Sequence, residues 1–162
     1  MKPLPPALLI AAAMAAAATA GCSRAPAPEP VAAHRHVHHP PHGGTPVVLG
    51  AELYHVELVL DPKAGVLQAY VLDGEMENFV RCAAASVEVD ASLGGRQVSA
   101  VLAAVANPAT GETVGDTALF EARADWLRGA AEFDGILRSL TVRGTTFKDV
   151  RFNFPRGNDA DG

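Results

Sequence analysis

The stretch His34-Arg35-His36-Val37-His38-His39-Pro40-Pro41-His42 places five of the chain's six histidines within nine residues. Neutral imidazole is the commonest nitrogen ligand for Zn, Cu, Ni and Co. A dense histidine tract is a compositional signal of metal binding. His34, His36 and His38 are spaced i, i+2, i+4, so an extended chain projects them to one side. His39 and His42 follow closely. A flexible segment can close around an ion with whichever three or four rings reach it, at moderate affinity, because each residue fixed costs conformational entropy. Two plainer readings compete. The tract can be a solvated linker that tolerates histidine, or a pH-responsive tail whose rings charge together near pH ~6.5.

Other chemistry-bearing residues carry weaker signals. His55 stands two residues before Glu57, so alternation puts both on one face of an extended strand. That face reads as the outer, solvated one. The pair could complete a metal site with His42 if the preceding segment folds back. Cys82 sits among small apolar neighbours in Phe79-Val80-Arg81-Cys82-Ala83-Ala84 and reads as a buried, inert thiol. Asp73, Glu75 and Glu77 form an acidic loop whose spacing matches no calcium loop, so a solvated turn is expected. The chain has no Gly-x-Ser-x-Gly elbow, no His-Glu-x-x-His helix and no phosphate loop, and an enzyme is not expected.

The residues before the tract supply an address. Leu8–Ala20 is an apolar run after Lys2, too short for a membrane span of about 20 residues and suited to a secretory signal. It ends in Thr19-Ala20-Gly21-Cys22, which resembles a bacterial lipoprotein signal. That resemblance implies removal of residues 1–21 and lipidation of Cys22, with acyl chains holding the protein to a membrane. Ser23 stands where some bacteria read an aspartate as inner-membrane retention, which leans toward the outer membrane. Residues 22–46 contain Pro26, Pro28, Pro30, Pro40, Pro41 and Pro46 and read as a disordered, semi-rigid tether. The chain has 13 Lys and Arg against 18 Asp and Glu, net −5, so no basic patch suggests a nucleic-acid partner. With Cys22 lipidated, Cys82 has no internal disulfide partner.

From Val47 the pattern changes to short runs of alternating hydrophobicity. Tyr54, Val56, Leu58 and Leu60 alternate with His55, Glu57 and Val59 and predict a half-buried strand. Asp61-Pro62-Lys63-Ala64-Gly65 is a compact turn, and Val66–Leu72 returns as its hairpin partner. Further strands are expected at 86–90, 98–106, 119–123, 136–142 and 150–154, with 98–106 apolar on both faces. A single helical turn at 125–131 would be capped by Asp125. The expectation is an all-β fold, one β-sandwich-like domain of about seven or eight short antiparallel strands over 47–155, with a frayed tail at 156–162.

Pro41-His42-Gly43-Gly44-Thr45, Tyr54-His55-Val56-Glu57-Leu58-Val59 and Ala69-Tyr70-Val71-Leu72-Asp73 together resemble a segment of periplasmic proteins that accompany heavy-metal efflux. The corresponding positions are His42, Gly43, Gly44, Glu57 and Asp73. The resemblance spans about residues 40–73; residues 74–162 are not placed by it, and an adaptor's coiled-coil and lipoyl-like parts are missing. It implies a metal-handling accessory with an efflux component as partner. The methionine-rich copper sites of adaptors have no counterpart, since Met76 is the only methionine after Cys22. Nitrogen ligands favour Zn, Cu(II), Ni or Co over Cu(I). The sequence thus reads as a lipid-anchored envelope protein binding a divalent metal through His34, His36, His38, His39 and His42, with weaker candidates in His55 and Glu57. The alternative is a non-catalytic envelope scaffold with an inert histidine segment.

Overall fold

The computed structural model describes residues 39–159. Cys22, His34, His36 and His38 lie outside these residues, as does the apolar leader. The described part is all-β: β1 (Thr45–Leu49), β2 (Tyr54–Asp61), β3 (Val66–Asp73), β4 (Ser86–Leu93), β5 (Arg96–Ala104), β6 (Leu119–Arg123), β7 (Phe133–Val142) and β8 (Thr145–Phe154). A 3-10 turn at Asp125–Leu127 is its only named helical element.

All eight strands belong to one antiparallel sheet, in the order β1-β2-β3-β6-β5-β4-β7-β8. The sheet rolls over on itself into a nearly closed barrel, so a single sheet supplies both walls around the core. The hairpins follow from local chemistry. In the β2–β3 turn the Asp61 carboxylate accepts from the Lys63 and Ala64 amides at 2.9 and 3.0 Å. The β4–β5 turn places Gly94 and Gly95 between Leu93 and Arg96, at the positive φ that tight hairpins require. The longer β3–β4 connection runs back along the sheet, bridging Phe79 to Leu72 and Cys82 to Thr117.

The core is filled from alternate positions of these strands, among them Val47, Leu58, Val71, Leu102, Phe120, Phe133 and Leu137. Removing such side chains from water is the main favourable term in folding. Trp126 from the 3-10 turn packs edge-on against Phe133 at 5.3 Å and donates its indole N–H to Ser99 O at 2.9 Å.

Four local expectations change. β2 does not have one wet face. Val56 and Leu58 are buried as expected, but His55 and Glu57 on the opposite face are fully buried too, while Tyr54 and Leu60 are only half-buried. Chain from outside the strand covers that second face, as described below. β5 is central in the order yet buried on one face only; Ala100 and Leu102 face the core and Val101 is exposed. Ala124, not Asp125, occupies the N-cap of the 3-10 turn, and no side chain caps it. Finally, Arg156–Asn158 are not a frayed tail. Arg156 pairs with Glu132 at 2.7 Å, and Gly157 exchanges backbone hydrogen bonds with Asn153.

Asn158 closes the barrel. Its side-chain oxygen accepts from Val48 N at 2.7 Å and its amide donates to Val48 O at 3.1 Å, so one residue takes the place of a strand partner for β1. Thr45 Oγ1 adds a bond to Pro155 O at 3.2 Å. Asn158→Ala removes both Val48 bonds and is expected to cost about 1–2 kcal/mol in urea unfolding, with faster hydrogen exchange at the Val48 amide. Unchanged exchange at Val48 would show that closure does not depend on Asn158.

Candidate functional site

Glu57 is a fully buried carboxylate in the middle of β2, flanked in register by Pro46 of β1 and Tyr70 of β3. A buried charge is costly unless it is paired and hydrogen-bonded. Its partners come from the segment just before β1. The His42 and Gly44 amides both donate to Glu57 Oε1 at 2.8 Å. His42 Nδ1 lies 2.8 Å from Oε2. Three nitrogen groups from one three-residue segment therefore wrap one carboxylate.

The local sequence makes this wrap possible. Gly43 has φ +67° and turns the chain, with its amide donating to Pro40 O at 3.0 Å. Gly44 lies so close to β2 that a Cβ there would stand 2.5 Å from Leu58 O and 2.9 Å from Glu57 Cγ. The Gly43-Gly44 pair thus lets the backbone approach the strand closely enough for both amides to reach the acid.

The His42 ring is held from its flank as well. It stacks on Tyr70, with centroids 3.9 Å apart and planes 20° apart, and meets Phe79 at 5.8 Å. Its side chain remains 36 % exposed, whereas that of Glu57 is 0 % exposed. Phe79 is half-exposed at the outer edge of the cluster. The Tyr70 hydroxyl donates to Gln68 Oε1 at 3.2 Å, and Gln68 Nε2 donates to Glu121 Oε2 at 3.0 Å. Burial pushes the Tyr70 phenol above its ordinary pKa, and the charges of Glu57 and Glu121 push it the same way. Tyr70 therefore stays a neutral donor near neutral pH.

The remaining sequence candidates fall as follows. His39 is exposed at the start of the described chain. His55 shares the Glu57 face, as its spacing required, but is buried, with Nδ1 3.3 Å from Asp73 O. Among the described residues, no three or more His, Cys, Asp or Glu side chains cluster closely enough to hold a metal ion. The acidic loop is organised around Asp73, whose Oδ1 accepts from the Glu77 and Asn78 amides and whose Oδ2 accepts from Asn78 Nδ2 at 2.7 Å. Burial works against the Asp73 charge, but these bonds outweigh it and hold the carboxyl below its usual range. Its role is to fix the turn that presents Phe79.

Sequence reasoning missed Tyr70 and Phe79 as members of the site. The Tyr70 signal was present in principle, since a turn over 62–65 sets Asp61 opposite Val66 and that register carries Tyr70 opposite Glu57. Phe79 carries no local signal. Comparison with family models, with curated proteins and with solved structures finds no match to this chain.

Two expectations test the site's surroundings. Gly44→Ala must displace β2 backbone and is expected to lose at least about 2 kcal/mol of stability, whereas Gly43→Ala meets no atom within 4 Å and carries only the strain of its φ, about 1 kcal/mol. Equal losses in urea titrations would contradict the close approach at Gly44. Burial raises the Cys82 thiol to about 11, so a thiol reagent at pH ~8 should label the native protein slowly and the unfolded protein at once. Rapid native labelling would show that Cys82 is accessible.

Proposed function

We propose that this chain is a lipid-anchored protein of the bacterial envelope that binds a divalent transition-metal ion, Zn, Cu(II), Ni or Co, through its histidine segment. The observation that supports this reading is the seating of His42. It is the last member of the tract, it is fixed to the barrel by Glu57, and its ring is still 36 % exposed. One rigid imidazole lowers the entropy lost when the other rings close on an ion. His34, His36, His38 and His39 are the partners that proximity in sequence makes available. Lipidation at Cys22 would keep the site at the membrane, with the outer membrane favoured by Ser23. The biological task that fits is metal buffering, or hand-off to an efflux component in the envelope, as the resemblance of residues 40–73 implies.

Calorimetry on residues 23–162 with Zn(II), Cu(II) and Ni(II) tests the reading. Two variants accompany it, one with His34, His36, His38, His39 and His42 all replaced by Ala and one that retains His42. Low-micromolar or tighter binding is expected in the parent, abolished in the first variant and weakened in the second. Binding unchanged by the five replacements, in protein shown to be folded, would remove the histidine segment from the function.

A further inference from the structure

At the end of the barrel where the β7–β8 hairpin turns, a cleft of about 700 Å³ lies between that hairpin, the 81–86 segment and the Gly115-Asp116 turn. Its walls include Arg81, Ser86, Asp116, Ser139, Thr141 and Arg143. The volume falls in the range of small-molecule sites, which combine a concave surface with a few convergent polar groups. The chain as a whole is acidic, net −5, yet this wall carries two arginines against one carboxylate. The register also sets Lys148 of β8 opposite Ser139, a further cation beside the cleft.

The two arginines differ in what holds them. Arg81 is clamped: Nη1 donates to Asp116 Oδ2 at 3.0 Å and Nη2 to Thr110 O at 2.5 Å. A guanidinium has five N–H donors, so a fixed Arg81 keeps donors for a ligand. Arg143 has no such structural role. The ion pairs among the described residues engage Arg81, Arg123, Arg128, Arg138 and Arg156, but not Arg143. Its backbone is strained as well. Arg143 and Gly144 form the two-residue turn between Val142 and Thr145, with φ +46° and +85°. Such turns favour Asn, Asp or Gly at the first position, and a long side chain there opposes the local conformation. A strained residue in the wall of a cleft is the pattern of a ligand clamp.

We propose that this cleft binds the phosphate group of a small dissolved molecule, with Arg143 and Arg81 as its charged donors. The site stands independently of the histidine segment. Its polar groups come from the 81–86 segment, from β7 and from the hairpin tip, so they approach from several sides. A phosphate offers acceptor oxygens on several sides, whereas a carboxylate offers them in one plane. Guanidinium–phosphate hydrogen bonds are charge-assisted and geometrically specific. The hydroxyls of Ser86, Ser139 and Thr141 serve the remaining oxygens or the rest of the molecule.

Arg143→Gly is the informative substitution. Glycine adopts a positive φ without strain, so the variant relieves the turn while it removes the donor. Stability and affinity then move in opposite directions, which a residue that only shaped the turn could not produce. The experiment follows amide spectra of the full chain in detergent as inorganic phosphate or glycerol 3-phosphate is added at constant ionic strength. R143G is compared with R96A, whose lost cation lies in the β4–β5 turn at the opposite end of the barrel. The expected result is saturable shifts over 81–86 and 139–144 in the parent. Affinity falls at least about 10-fold in R143G and is unchanged in R96A, and the urea midpoint of R143G rises. Absence of saturable shifts in the parent would overturn the proposal. Undiminished affinity in R143G, or an equal loss in R96A, would do the same. Short-chain phosphatidic acid in the micelles is the third probe. Shifts in the cleft with that lipid and none with either soluble phosphate would overturn the dissolved ligand in favour of a lipid headgroup.

Discussion

The burial of one carboxylate organises this protein's amino-terminal edge. Glu57 sits on the outer side of β2, where a charged residue is ordinarily solvated, and it is nevertheless fully enclosed. Water withdrawn from a carboxylate has to be replaced by donors, or the charge is lost. Here the replacement is the His42-Gly43-Gly44 segment, folded back across the strand. The requirement propagates outward. Two amides must reach Oε1, so Gly44 must have no side chain. The turn at Gly43 must adopt a positive φ. The His42 ring must lie against Tyr70, which β3 delivers opposite Glu57 in register. Removing one partner of such a buried arrangement strands the others, at a cost of about 3–5 kcal/mol.

This constraint joins the histidine segment to the barrel. The point at which the Pro- and His-rich stretch meets the domain is a fixed contact with a named acid, and His42 belongs to both. Under the proposed metal-binding role, an ion held partly by His42 would be referenced to the folded domain. Binding to the native state alone stabilises it in proportion to the logarithm of ligand concentration over Kd. The same contact explains why the motif combines histidine with two glycines: the imidazole meets the Glu57 carboxylate, and the glycines allow the close approach that anchors it.

How much of this was legible in the sequence depends on the range of the interaction. Strands over 54–60 and 66–72, the Asp61–Gly65 turn and the all-β class follow from local pattern, and the structure has them. The pairing of His55 with Glu57 on one face also follows from period two. What alternation cannot show is whether a face is wet. Val56 and Leu58 declare one side of β2 buried, and a His/Glu side looks exposed by default. Its cover comes from His42–Gly44, 13 to 15 residues earlier, and from the Asp73–Phe79 loop. Neither contact leaves a periodic trace. Asn158 failed to stand out for the same reason. A polar residue near a chain end reads as frayed until its side chain is seen to pair with Val48, 110 residues away.

The most direct test of the account is a crystal structure of the zinc-loaded protein with anomalous scattering at the zinc edge. With the proposed metal-binding role, the account predicts a zinc ion about 2.0–2.1 Å from a His42 ring nitrogen, with Glu57 Oε1 still accepting from the His42 and Gly44 amides. Zinc bound elsewhere, or a Glu57 carboxylate that has lost both amides, would contradict it.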